Sequence, residues 1–295
     1  MITTFPERCT QCGLCADLCH ETCITMTDTG PFIDEATCST CTQCIAVCPN
    51  QALAWNGVAP IRFDRQRLPT VGQLEELFKE RRSIRRFKRM KIERSVLEEI
   101  AQFGSYAPTH AFNLRVIIVD EEDLIASLDQ AIVDNCRWIH RLAFHFKAAE
   151  LLADWFGYGP EMRRARPKIE AALAQGHSFH SMPAALIFVV GPKNVPLSDN
   201  SAQYAMANMM YYAQVMEVGT CLWANGPLFI DKHQASRRKL GLKPNERIFA
   251  AMYMGYPAVR FSNKEIGKVM AIQWNGGGLS SPITHCAWSA AAFTD

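Results

Sequence analysis

Apolar positions recur along this chain with a helical period in some segments, as short unbroken runs in others, and with no period in a third kind. In QLEELFKERRS, from Gln73, the residues Leu74, Leu77 and Phe78 fall at i, i+3 and i+4, which predicts an amphipathic helix. SVLEEIAQFGSYA predicts a second helix, ended by Gly104 and Pro108. RVIIVD, AALIFVVG from Ala184 to Gly191, and IFAAMYMGYPAV predict buried strands. Between them, RWIHRLAFHFKAAELLADWF and SAQYAMANMMYYAQVMEV are long and apolar enough for core or interface helices. The resulting order of helix, helix, strand, helices, strand, helix, strand predicts an α+β domain. NGVAPIRFDRQRLPTVG mixes Pro, Gly and charge without periodicity and reads as an extended linker.

Length and cysteine usage divide the chain in the same way. A chain of 295 residues suggests about two domains, and only Cys136, Cys221 and Cys286 lie beyond Cys48. The expected division is residues 1–56, a linker at 57–72, and residues 73–295. No apolar run reaches the ~20 residues of a membrane span, and MITTFPERC lacks the layout of a signal peptide, so a soluble protein without a membrane partner is expected. A net charge of +2 implies no acidic partner. Apart from the cysteine run described next, no internal repeat occurs.

CTQCGLCADLC places Cys9, Cys12, Cys15 and Cys19 at the spacing Cys-x2-Cys-x2-Cys-x3-Cys, and CSTCTQCIAVCP repeats it at Cys38, Cys41, Cys44 and Cys48. Three closely spaced thiolates reach three irons of a 4Fe-4S cube, while the fourth, on the following turn, points at the neighbouring cluster. The spacing therefore predicts crossed ligation, with Cys9, Cys12, Cys15 and Cys48 on one cluster and Cys38, Cys41, Cys44 and Cys19 on the other. Structural zinc closes with four ligands from two pairs, not with two four-cysteine runs. Over residues 1–56 the chain resembles the bacterial two-cluster ferredoxins. It departs from them at Cys19-His20, where the family has Cys-Pro, and keeps that proline only as Pro49. Cys23 is a fifth thiol in the first run and stands open as an alternative ligand, a potential-tuning neighbour or an inert core residue. Thiolates that bind iron must stay reduced, which points to the cytoplasm.

KERRSIRRFKRMK, residues 79–91, is the most basic stretch. Clustered arginines serve nucleic acid, one small phosphorylated ligand, or only solvent. The serine among them and the lack of interleaved aromatics favour one discrete phosphate. Arg81-Arg82-Ser83-Ile84-Arg85-Arg86-Phe87 is similar to the RRSxRxF signature of the nitroreductase family, and Tyr106-Ala107-Pro108-Thr109 to its second segment. Val218 to Gly226 resembles its glycine-containing loop, and Met254-Gly255-Tyr256-Pro257 the strand end near its C-terminus.

This resemblance implies an FMN-binding domain that works as an intertwined homodimer. It places Arg81, Arg82 and Ser83 on the FMN phosphate and ribityl chain, and Arg85 near flavin N1 and C2=O, where a cation stabilises reduced flavin. It sets Pro108 and Thr109 against the ring, with backbone amides of Ala224, Asn225 and Gly226 facing it. Where the family has an asparagine four residues after the proline, this chain has Phe112, and Asn113 is taken as the counterpart. For the C-terminal cation of the phosphate site, Lys268 is preferred to Lys264.

Other signals carry less. His110 is a candidate to face substrate above the flavin, and with Arg85 completes the candidate catalytic pair. His140 and His145 read as interface or core residues with no carboxylate beside them, His177 and His180 as an exposed loop. Tyr211, Tyr212 and the Met-rich ANMM read as packing. Cys221 is a weak nucleophile candidate. No P-loop or Rossmann fingerprint occurs, and the resemblance leaves NAD(P)H open as a donor. Together these readings describe an oxidoreductase passing electrons between a ferredoxin-type carrier, two 4Fe-4S clusters and FMN. It would reduce a small flat electrophile such as a nitroaromatic, quinone, enone or flavin; reverse flow uses the same parts. The alternative is a redox sensor or electron-transfer partner without small-molecule turnover, and nucleic-acid binding ranks last.

Overall fold

The computed structural model describes residues 1–108, 113–144, 154–155 and 157–264. The N-terminal segment contains β1 (Ile2–Thr4), α1 (Leu14–Asp17), β2 (Ile24–Thr27), β3 (Gly30–Ile33), α2 (Gln43–Val47) and β4 (Leu53–Trp55). β1 pairs antiparallel with β4, and β2 with β3, so the segment closes on itself. The Met1 amino group donates to Asn56 Oδ1 at 2.6 Å and fastens the two ends. Its core is small and sulfur-rich: Cys15, Cys23, Ile24 and Leu53 are buried, with Ile2, Met26, Ile33 and Ile45 packed around them. So few apolar side chains cannot stabilise a lobe of this size by burial alone, and lobes of this kind depend on disulfides or metal. The cysteines here are free.

The remaining elements are α3 (Val71–Glu80), α4 (Arg94–Gln102), β5 (Arg115–Val119), α5 (Glu122–Ile139), α6 (Gly159–Gln175), β6 (Ala185–Pro192), α7 (Ser198–Val215), β7 (Gly219–Leu222), α8 (Gln234–Lys239) and β8 (Glu246–Gly255). The strands form one antiparallel sheet in the order β5-β6-β8-β7. Both of its faces are covered, which explains why β6 is an unbroken apolar run and not an alternating one. Leu186, Phe188 and Val190 meet the α5 residues Ile125, Leu128 and Ile132 on one face. Ala185, Ile187 and Val189 meet α4 and α7 on the other. On α7, Ala202, Met206, Met209 and Ala213 form a buried stripe in which alanines admit the helix close to the sheet and methionines fill the gaps.

Three differences from the sequence expectation have local causes. α3 starts at Val71, two residues early, because Thr70 and Gln73 form a reciprocal capping box. β7 occupies part of the stretch read as a loop, since four residues are too few to show a period. α6 is largely polar and carries Pro167 in its interior, which hid it. The helix expected over residues 137–156 begins earlier, as α5, and passes into a π-helical turn at His140–Phe144; most of its remainder lies outside the described residues.

The basic segment is pinned along the sheet end. Ile84 N–H donates to Thr220 O at 2.9 Å, Lys88 N–H to Tyr256 O at 2.8 Å, and Ala258 N–H to Arg86 O at 3.0 Å. Ile84 and Phe87 are buried, and they fill the space that a Cβ would need at Gly219 and Gly255, at 2.9 and 2.8 Å. Glycine at those two positions is what lets the basic run lie against β7 and β8. Among the described residues no helix is long and apolar enough to cross a membrane.

Candidate functional sites

The cysteines line two separate cavities. Cys9, Cys12, Cys15 and Cys48 line the first. Cys19, Cys38, Cys41 and Cys44 line the second together with Cys23. These are the two groups of four that the spacing predicts for crossed ligation. Among the described residues, no three or more His, Cys, Asp or Glu side chains converge closely enough for a single metal ion. A cube spreads its thiolates over four separate irons, so a ring around a cavity is the arrangement it needs.

The backbone repeats with the cysteines. Gln11 and Gly13 have φ of 53° and 76°, and Thr40 and Thr42, at the same offsets in the second run, have 55° and 62°. Thr22 and Gln51, three residues after Cys19 and Cys48, have 52° and 54°. For a residue with a Cβ this left-handed region costs roughly 1–2 kcal/mol, yet five of these six are not glycine. What the conformation achieves is visible in the hydrogen bonds. Gln11 N–H points at Cys9 Sγ (3.4 Å), Thr40 N–H at Cys38 Sγ (3.4 Å) and Ala52 N–H at Cys48 Sγ (3.2 Å). Such inward N–H groups form anion-binding nests. Burial pushes the Cys44 thiol up to about 11, so without a metal its proton stays on, and a bound cation would displace it.

A third cavity opens beside the basic segment. Arg81, Arg82 and Lys88 line it with Val218–Thr220, Tyr256, Pro257 and Arg260, and the carboxylates Glu80 and Glu217 line it too. It thus joins three of the four sequence signals. Arg81, Lys88 and Arg260 have no carboxylate partner among the described residues. Arg82 is partly engaged, donating from Nη1 to Lys79 O (2.6 Å) and Arg81 O (2.8 Å) at the end of α3. Gln214 also lines the cavity; its Nε2 donates to Leu77 O and Glu80 Oε2, while its buried Oε1 has no donor. That orphaned acceptor and the unpaired cations fit a phosphorylated, hydroxyl-bearing ligand. Lys88, Arg260 and Gln214 were missed in the sequence. Lys88 lies in the basic run but outside the signature, Arg260 follows the strand end by five residues, and Gln214 has no sequence signal.

The other site residues are dispersed. Ser83 is half-buried and does not line this cavity. Arg85 is exposed, with Nη1 3.4 Å from Ser83 O, and it stands beside the buried Tyr253. Pro108 is exposed and Asn113 half-buried. Thr109, His110 and Lys268 lie outside the described residues, as do His145 and Cys286. Ala224 is exposed and Asn225 half-buried, before a π-turn at Gly226–Ile230. Gly226 is buried, and Ala251 Cβ stands 2.7 Å from where its own Cβ would be. Core packing by itself therefore requires a glycine there. His140 does have a carboxylate beside it, Glu170 at 3.9 Å from α6. His177 Nδ1 lies 2.6 Å from Phe179 O, and His180 is exposed. Cys221 is buried against Tyr253 and donates to Leu222 O. Tyr212 stacks on Phe103, Tyr211 packs against Phe78, and Met209 and Met210 are buried, so all four are packing residues.

Comparison with known proteins gives a match to the nitroreductase family over residues 78–256. Similar solved structures include a nitroreductase with bound FMN from Bacteroides fragilis, at 18% identity over 68% of this chain and 99% of that one, with a TM-score of 0.48. An oxidized iodotyrosine deiodinase bound to FMN and 3-iodo-L-tyrosine gives 19% identity, 68% and 98% coverage, and 0.48. A BluB-like flavoprotein from Clostridium difficile gives 15%, 65% and 93%, and 0.48. No curated protein matches the chain.

Proposed function

From the premise that the chain belongs to the nitroreductase family, we propose that it is an iron–sulfur flavoprotein oxidoreductase. It would work as a homodimer with one FMN and two 4Fe-4S clusters per chain, take electrons from an external ferredoxin-type carrier, and reduce a small, flat, electrophilic substrate. The division is residues 1–56 for the clusters, 57–72 for the linker, and 73–295 for the flavin and substrate. The observation that carries the reading is the sorting of the eight repeated cysteines, four and four, between two cavities, the second also lined by Cys23, in a chain whose basic signature lines a third.

When bound, the clusters would supply one-electron transfer and FMN the exchange of one or two electrons with substrate. The chain's own residues do the rest. Cys9, Cys12, Cys15 and Cys48 would hold one cluster, and Cys19, Cys38, Cys41 and Cys44 the other, with nest N–H groups donating to their sulfurs. Arg81, Lys88 and Arg260 would hold the FMN phosphate, with Arg82 contributing the part of its guanidinium not engaged by α3. Gln214 Oε1 would accept from a ribityl hydroxyl. Arg85 would sit near the flavin N1 edge and stabilise negative charge there. Linkage in one chain raises the effective concentration of one redox centre at the next.

The phosphate assignment is tested by comparing FMN with riboflavin, which lacks the phosphate. Charge-assisted hydrogen bonds are worth about 1.5–3 kcal/mol each, so the wild-type protein should prefer FMN by about 10-fold or more. In the Arg81→Met/Arg260→Met variant that preference should collapse. Equal preference in wild type and variant, read by flavin-fluorescence titration, would remove the cavity from the account. Retention on RNA that FMN does not compete away would favour nucleic-acid binding instead.

A further inference from the structure

We propose that Cys23 is a positioning residue of the second cavity, donating its S–H to the ligand sulfur of Cys19 and thereby raising the reduction potential of that cluster alone. The inference rests on the cluster reading above. Cys23 Sγ lies 3.5 Å from Cys19 Sγ, is buried, and lines the same cavity as Cys19, Cys38, Cys41 and Cys44. Once Cys19 binds iron as a thiolate it has no proton, so in this pair only Cys23 can donate.

The duplicated backbone supplies an internal control. Cys23 stands four residues after Cys19, and Ala52 stands four residues after Cys48. Ala52 N–H donates to Cys48 Sγ at 3.2 Å, and the residues just before Ala52 and Cys23, Gln51 and Thr22, share the left-handed conformation with φ of 54° and 52°. The two positions are therefore equivalent in backbone and differ in side chain, a thiol in one cavity and a methyl in the other. The nearest extra sulfur to the first cavity is Met26 Sδ, 4.0 Å from Cys15 Sγ. A thioether carries no hydrogen and cannot replace the donor. One-electron reduction adds negative charge to a cluster, and a hydrogen bond to a ligand sulfur stabilises that charge. Of two clusters with repeated ligation, the second would then be the better electron acceptor, which gives the relay a direction within the lobe.

The test is an anaerobic, EPR-monitored redox titration of the full-length protein in wild-type, Cys23→Ala and Cys23→Ser forms. Cys23→Ala should shift one of the two cluster midpoints to a more negative value and leave the other unmoved. Cys23→Ser, which keeps a donor, should hold that midpoint at or above the wild-type value. Unmoved midpoints in Cys23→Ala, or a Cys23→Ser midpoint that falls below wild type, would overturn the proposal. If Cys23→Ala does not retain its iron, the Cys23→Ser midpoint decides by the same criterion, and loss of the second cluster from both variants overturns it too. Wild-type protein reconstituted to no clusters would defeat the cluster reading itself, whereas eight irons with insensitive potentials would defeat only the role of Cys23.

Discussion

Glu246 and Arg115 link the far end of β8 to β5. Arg115 donates from Nε (3.0 Å) and Nη2 (2.8 Å) to the two carboxylate oxygens of Glu246. These bonds hold the Glu246 carboxyl down to about 2, from an ordinary value of 4.5. A depressed carboxylate contributes stability that is fully present above the ordinary value and is lost as pH falls through the folded one. At ~1.4 kcal/mol per unit, and allowing for the exposed side of Arg115, the contribution is on the order of 2 kcal/mol. Urea unfolding should therefore show stability declining from about pH 4.5 towards pH 2, and Arg115→Leu should lose roughly that amount at pH 7 while flattening the acid limb. A second residue-scale prediction concerns Gly219, where an added Cβ would meet Ile84 at 2.9 Å. Gly219→Ala should cost about 1–3 kcal/mol by overpacking and weaken FMN binding, since the shifted segment carries Arg81 and Arg82. An unchanged unfolding midpoint and unchanged FMN affinity would contradict that placement. The four-and-four placement of the cysteines about two cavities was legible in the sequence because their spacing is a local property. Arg260 and Gln214 were not, because their role arises only where distant segments meet.

At the scale of elements, α3 is an exposed helix: none of its side chains is buried, and Phe78 against Tyr211 is its main apolar contact with α7. Its capping box is thus its main local support. Thr70→Ala should cost about 1 kcal/mol of helix stability and leave the global unfolding midpoint almost unchanged. The effect should appear as faster hydrogen exchange over residues 71–80 and weaker flavin retention, because Arg81 caps the helix end through its N–H to Leu77 O. A lowered global midpoint would mean that α3 belongs to the core. The long strands and the amphipathic helices were legible because burial imposes period or apolarity on enough residues to be seen. β7 was not, being four residues long, and neither was α6, whose polar surface and interior proline resemble a loop.

At the scale of the molecule, a sulfur-rich lobe with little apolar core precedes a sheet domain with two well-filled faces. The lobe should depend on metal for its fold, and the sheet domain should not. Replacing Cys44 by Ala should remove the second cluster, leave about half the iron, and abolish turnover driven by a ferredoxin-type carrier, while dithionite still reduces the flavin. Unaltered carrier-driven turnover would contradict the relay. The most direct test of the central claim is the anaerobic content of iron, acid-labile sulfide and flavin per chain, with visible and EPR spectra after dithionite. The account predicts about eight irons, about eight sulfides and one FMN. Flavin without iron, or iron without flavin, would contradict it.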